Sequence, residues 1–196
     1  MSSWTRQQLE NYLKTIDVKA DRIIDIGGSQ NSIKGRTKSW EVKEYKILDL
    51  EKPHECKQKP DIVFDLNSQN NEMGYILDGG KFDVIFCLEV FEYIYSPMDA
   101  MRNIYDLLKD KGILYISFSF IYPVHEPVDQ DYLRYTPRGA FKLLKETGFT
   151  IDEFESRMLT PEGEIRYNDL LRSEGMRPAK NHSHNQVGLL IKAQKI

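Results

Sequence analysis

Three apolar runs in the first third of the chain each reach an aspartate: Arg22-Ile23-Ile24-Asp25-Ile26, Tyr45-Lys46-Ile47-Leu48-Asp49 and Ile62-Val63-Phe64-Asp65. Short runs of this kind, closed by turn residues, read as buried strands. One acid at one strand end is explained by an ordinary turn or a solvated terminus. Acids at three successive strand ends are a stronger pattern, because open α/β sheets bind ligands in the crevice beyond those ends.

The rest of the chain alternates in the same way. A helix is expected over about Thr5 to Ile16, where Leu9, Tyr12, Leu13 and Ile16 recur at helical spacing. Strands are expected at Arg22–Ile26, Tyr45–Leu50, Asp61–Phe64, Phe82–Leu88, Ile113–Phe120, Thr150–Arg157 and Gln186–Ala193. Ser96-Pro97 and Thr136-Pro137 open two further helices, with Ser96 as the cap of the first and Gly148 as the left-handed exit of the second. The polar stretch 158–185 is long for a plain connection and is expected to form a partly helical cap or lid. The expectation is one domain over residues 1–196, with a mainly parallel sheet and helices on both faces. The closing strands lack a crossover helix, which makes the last one antiparallel.

At 196 residues the chain holds one sizeable core. Its net charge of −3, without a basic stripe, gives no sign of a nucleic-acid partner. Cys56 and Cys87 are far apart and form no Cys-x-x-Cys pattern; Cys87, inside an apolar run, reads as a core residue. No stretch approaches the roughly 20 apolar residues of a membrane span, and the N-terminus lacks the apolar centre of a signal peptide. The cytoplasm is the expected location. His182 and His184 have no matched third ligand nearby and read as surface loop residues, so no metal is expected.

Asp25 leads directly into Gly27-Gly28, a turn that either simply reverses the chain or lets backbone approach a ligand. Asp49 falls 24 positions after Asp25, close to the spacing at which nucleotide-binding folds place a carboxylate on a ribose. Glu51 is the fallback for that role. Asp65 sits between apolar Phe64 and Leu66, where an acceptor can receive an adenine amino group while the ring packs on side chains.

With these pieces in order, the chain resembles the class I S-adenosylmethionine (SAM)-dependent methyltransferases of the type 11 group over about residues 20 to 193. The resemblance is carried by Ile23 to Gly28, by Asp49, by Asp65, by the run Phe82 to Tyr93, and by Leu107 to Leu114. It implies a Rossmann-like three-layer sandwich with a seven-stranded, mainly parallel sheet and an antiparallel last strand. It also implies SAM as cofactor, with S-adenosylhomocysteine as product. Asp25 would orient the glycine loop and approach the methionine amino group, which Gly27 and Gly28 would line. Asp49 would hold the ribose and Asp65 the adenine, with Cys87 and Leu88 under the sulfonium. The chain departs from the family in carrying Ser29 and Asn31 where glycines are usual, and Tyr93 where histidine is frequent. Asn31 tolerates a left-handed backbone; Ser29 adds bulk.

The segment Tyr122 to Thr136 follows the fifth expected strand and hangs over the same crevice. Asp131, Tyr132 and Arg134 are its candidate substrate-binding residues, and scaffolding roles compete with that reading. His125 is the candidate base, since histidine is the side chain suited to proton removal at neutral pH. The resulting expectation is methyl transfer to oxygen or nitrogen of a small-molecule or glycan-like acceptor. A dehydrogenase is disfavoured because the loop reads Gly-Gly-Ser-Gln-Asn-Ser in place of Gly-x-Gly-x-x-Gly. The alternative from another class is a non-catalytic binding or regulatory module on the same fold.

Overall fold

A computed structural model describes residues 3–68, 79–178 and 186–196. In chain order the elements are α1 (Trp4–Leu13), β1 (Asp17–Ile26), β2 (Ser39–Asp49), β3 (Ile62–Val63) and β4 (Phe82–Cys87). They continue with a 3-10 turn at Phe91–Tyr93, α2 (Pro97–Leu107), β5 (Leu108–Ser119), α3 (Pro137–Glu146), β6 (Phe149–Met158), α4 (Pro161–Ser173) and β7 (Gln186–Lys195). The sheet has seven strands in the order β3-β2-β1-β4-β5-β7-β6. Neighbours from β3 to β5 pair in parallel, and β7 lies antiparallel to both β5 and β6. The chain winds outward from β1 to β3 and then returns to β4 on the other side of β1. That reversal opens a crevice at the carboxyl ends of β1 and β4.

β1 and β2 begin earlier than the apolar runs suggest. Their first halves alternate charged and apolar residues, and cross-strand ion pairs Lys19–Glu41 and Lys43–Asp21 hold them together. From Ile23 to Ile26 the strand is buried, as a central strand covered on both faces must be.

One face carries the larger core. Met101, Ile104 and Leu107 of α2 and Ala140 and Leu144 of α3 pack on Ile24, Ile85, Leu114, Ile116 and Phe118. The other face is covered by α1, where Leu9, Tyr12 and Leu13 meet Ile23, Phe86, Tyr115 and Leu190, and by Ile33 from the β1–β2 connection. α1 ends at Leu13, short of the expected Ile16; Thr15 and Ile16 continue as turns, and Ile16 still buries its side chain. The helix is pinned near the site by Trp4 and Gln8, which both donate to the Met158 carbonyl.

Caps follow the sequence in part. Thr136 and Thr160 accept from the backbone N–H three residues on. Ser96 does not cap α2 with its hydroxyl; its N–H instead donates to Asn67 Oδ1, which fixes the start of the helix against the turn after β3. Gly148 supplies the left-handed exit of α3 at φ +91°. The stretch 158–185 holds α4, and its positions 179–185, with His182 and His184, lie outside the described residues. No helix among the described residues is long and apolar enough to cross a membrane, and no cluster of ligands there could hold a metal.

Candidate active site

At the end of β1 the carboxylate of Asp25 is buried and accepts from the Ile33 N–H and the Tyr45 hydroxyl, both at 2.7 Å. Burial pushes its pKa up to about 6 against the pull of those bonds. This single side chain therefore ties the glycine loop, the β1–β2 connection and β2 together. Gly28 has no room for a side chain, since a Cβ would stand 2.6 Å from Asp25 Oδ2. Gly27 has a φ of +76°, and a Cβ there would meet Val90 at 2.5 Å. Both glycines are required by what surrounds them.

The two departures in this loop resolve differently. Asn31 is not left-handed; its carbonyl accepts from Arg36. Ser29 is fully buried, its hydroxyl has no hydrogen-bond partner among the described residues, and its N–H donates to Asp49 Oδ2 at 3.2 Å.

Asp49 accepts a second backbone bond, from Leu50 at 2.9 Å. A carboxylate has about four acceptor positions, so two remain. Asp65 Oδ1 closes a turn by accepting from the N–H and side chain of Asn67, and its Oδ2 is not used in that turn. Asp49 and Asp65 line one cleft together with Ile26, Leu48, Phe64 and Val90. It encloses about 770 Å³ of empty space including its open mouth, within the range of small-molecule sites. Apolar walls with acids at two separate points match a nucleoside, whose ring is flat and apolar and whose ribose and amino groups are donors.

Two further spaces adjoin it, one smaller and one larger. One is lined by Asp25, Gly27, Leu88, Glu89, Arg6 and Arg36; Glu10 pairs with Arg6 through Nε and with Arg36 through Nε and Nη2. The other is wide and polar, lined by Arg6, Lys57, Glu89, Tyr93, Tyr122 and His125 among others. Cys87 is fully buried in the core behind the crevice.

Glu89 borders all three spaces. It stands in the left-handed region at φ +57°. Its N–H donates to Ser117 Oγ, and its carboxylate accepts from that hydroxyl and from Nη1 of buried Arg157, whose Nη2 lies 2.9 Å from Oε1 as an ion pair. Burial raises its pKa, but the Arg157 charge and bonds outweigh this and hold it below the usual carboxylate range. Glu92, three residues on, is 1% exposed, and its Oε2 has no partner among the described residues. Burial, and then the Glu89 charge, pushes Glu92 up to about 8, so it carries a proton at neutral pH.

The wide cleft holds a polar chain. Asp131 Oδ2 lies 3.0 Å from His125 Nδ1, and its carboxylate is clamped bidentately by Arg134 at 2.5 and 2.6 Å. Hydrogen bonding from Arg134 holds the Asp131 carboxyl well below its usual range. Arg134 in turn donates to the Tyr122, Pro123 and Leu133 carbonyls, so it braces the loop. The Asp131 side chain is fully buried, and neither it nor Arg134 lines any of the three spaces. Tyr132 is about half exposed and stands edge-on to Tyr95.

Sequence reasoning did not assign Arg6, Arg36, Tyr45, Glu89 and Glu92 to the site. For the two glutamates a signal was present: acids three apart inside the apolar run Leu88 to Ile94 must either be buried and partnered or face a cleft.

The fold, with its crevice between β1 and β4, is that of the SAM-dependent methyltransferases. It is shared with an S-adenosylmethionine-dependent methyltransferase from Mesorhizobium loti, at a TM-score of 0.58 and 18% identity over 99% of both chains. A SAM-dependent methyltransferase from Methanosarcina mazei superposes with a TM-score of 0.53 at 14% identity, covering 96% of this chain and 97% of that one. The phosphoethanolamine N-methyltransferase 2 of Haemonchus contortus, solved with SAM, gives 0.54 at 14% identity over 98% of this chain and 53% of its own. At such identities the likeness concerns the fold. A stretch of 42 residues is 43% identical to the ubiquinone biosynthesis O-methyltransferase of Glaesserella parasuis serovar 5, covering 21% of this chain and 18% of that enzyme. The family described as methyltransferase domain matches residues 5–138, and the chain belongs to it. By that match it is a methyltransferase-domain protein, on the fold that SAM-dependent methyltransferases share.

Proposed function

We propose that the protein methylates a hydroxyl of a small-molecule or glycan-like acceptor, with His125 as the base. The observation that carries this is the Asp131–His125 pair opening onto the wide cleft that shares Glu89 and Tyr93 with the nucleoside cleft. In this reading Asp49 holds the ribose, Asp65 the adenine amino group, and Gly27 and Leu88 line the methionine part, with Gly28 behind them against Asp25. Asp25 acts one step back, by shaping the glycine loop. Arg6, tied to Glu10 through Nε, receives the methionine carboxylate, while Arg36 is committed to Glu10 and the Asn31 carbonyl and holds the loop. The residues fit the cofactor in shape and in charge.

Bound SAM supplies a methyl group already activated by the positive sulfur, so the chain's own work is alignment, exclusion of water and removal of one proton. Asp131 accepts the Nδ1 proton of His125, which leaves the Nε2 lone pair for the acceptor's proton. Arg134 holds Asp131 ionised and in place. Asp131 and Arg134 are thus positioning residues here, and Tyr132 belongs to the rim. A hydroxyl is favoured because it needs a base, and because the 42-residue match is to an O-methyltransferase.

Radiolabelled methyl transfer from SAM into a small-molecule cell extract tests this. Asp131→Asn and His125→Gln are each expected to lower transfer by about 10²–10⁴-fold. Transfer within threefold of wild type in His125→Gln contradicts the assignment of the base.

A further inference from the structure

Nε2 of His125 is not open to the cleft by itself. The Tyr93 hydroxyl stands 3.3 Å from it, and the two rings stack with centroids 5.6 Å apart at 26°. Tyr122 closes on the imidazole edge-on at 5.3 Å. When the Tyr93 hydroxyl donates to the single lone pair of Nε2, an acceptor oxygen can use that lone pair only in its place; the other polar atom facing Nε2 is Oε1 of Glu92, at 4.0 Å. Tyr93 borders both the nucleoside cleft and the acceptor cleft, so its side chain stands at the boundary where cofactor and acceptor meet. Its hydroxyl hydrogen has two acceptors in reach, Nε2 and the Glu126 carbonyl at 3.0 Å. Rotation about the phenol C–O bond moves it from one to the other. The phenol is no base alone, because burial, and then the charges of Glu92, Asp131 and Glu89, push its pKa well above the usual value. It can pass a proton on only if it gives its own away in the same event.

We propose that Tyr93 is a catalytic residue of the methyl transfer, relaying the acceptor's proton to His125. This rests on the reading of His125 as base. The acceptor O–H bond breaks as its proton goes to Tyr93 Oη, while the Tyr93 O–H bond breaks as its proton goes to His125 Nε2. The acceptor oxygen forms its bond to the methyl carbon as the methyl–sulfur bond breaks, its electron pair staying on sulfur. The net change is one methyl gained and one proton lost by the acceptor, with the proton on imidazole beside ionised Asp131. The imidazole, about a third exposed, then releases it to solvent in the cleft. A relay of this length suits a hydroxyl acceptor; a neutral amine has no need of it.

Tyr93→Phe keeps the ring and removes the relay atom. Nitrogen-15 spectra of the imidazoles need no acceptor: the expected wild-type pattern for His125 is a protonated Nδ1 and a bare, hydrogen-bonded Nε2. The Nε2 resonance is expected to move to that of a free nitrogen in Tyr93→Phe and to stay in Tyr122→Phe. Radiolabelled transfer into extract is expected to fall about a hundredfold in Tyr93→Phe. The Tyr93→Phe/His125→Gln double variant should fall no more than about threefold below the worse single one, because both act in one path. An Nε2 resonance indifferent to Tyr93→Phe overturns the relay, as do losses that multiply. Transfer lost in His125→Gln but kept in Tyr93→Phe overturns the relay alone. Transfer kept in both overturns the earlier reading of the base as well.

Discussion

On the nucleoside side of the crevice the acids are held by backbone: Asp49 by the N–H groups of Ser29 and Leu50, Asp65 by that of Asn67, Asp25 in part by that of Ile33. On the acceptor side the polar groups are held chiefly by other side chains, in the chain Arg134–Asp131–His125–Tyr93 and in the cluster Arg157–Glu89–Ser117. Backbone placement follows from where a strand ends, so it survives many changes of sequence around it. Side-chain placement depends on residues far apart in the chain, here 68 positions for Arg157 and Glu89. In the proposed reading the first side serves the cofactor and the second the acceptor.

Breaking the backbone side should cost most. Gly27→Ala adds a side chain at φ +76° and drives it into Val90. Left-handed strain and overpacking together predict a loss of roughly 2–4 kcal/mol in urea denaturation, accompanied by loss of SAM binding. A loss under about 0.5 kcal/mol means the loop adapts and its geometry is not fixed by the glycines.

On the acceptor side the revealing variable is pH. Folding keeps Glu92 protonated up to about 8, whereas an ordinary glutamate ionises near 4.5. Between these values the unfolded chain releases a proton that the folded one retains, so wild-type stability falls as pH rises. Glu92→Gln removes that penalty. It should match wild type near pH 4 and exceed it by on the order of 1–3 kcal/mol at pH 8. Parallel stability curves from pH 4 to 8 would show that Glu92 is ionised in the fold. The smallest effect is expected at Ser29→Ala, which deletes a buried hydroxyl with no partner among the described residues. Thermal denaturation should show no loss and a gain of up to about 1 kcal/mol; a clear loss would reveal a bond that the hydroxyl makes.

The same contrast explains what could be read from sequence. Strand ends were legible because an apolar run stops where an acid or glycine begins, and this located Asp25, Gly27, Gly28, Asp49 and Asp65 at the crevice. The early halves of β1 and β2 were not, because Lys19, Asp21, Glu41 and Lys43 mask the apolar alternation with charges that only cross-strand pairing explains. His125 stood out by residue type alone. The roles open to Asp131 and Arg134 depended on direction: spacing put them in the loop, but only the fold turns Asp131 toward His125. Glu89 and Glu92 lay in plain view, but Glu89 is held ionised by Arg157, remote in the chain, while burial and then the Glu89 charge keep Glu92 protonated.

Isothermal titration of SAM into wild type and Asp49→Ala tests the assignment of the nucleoside cleft most directly. With Asp49 on the ribose as proposed, the expected loss is about 2 kcal/mol, close to thirtyfold in affinity, with the variant still folded. Equal affinity in the two proteins would contradict the placement of SAM at these strand ends.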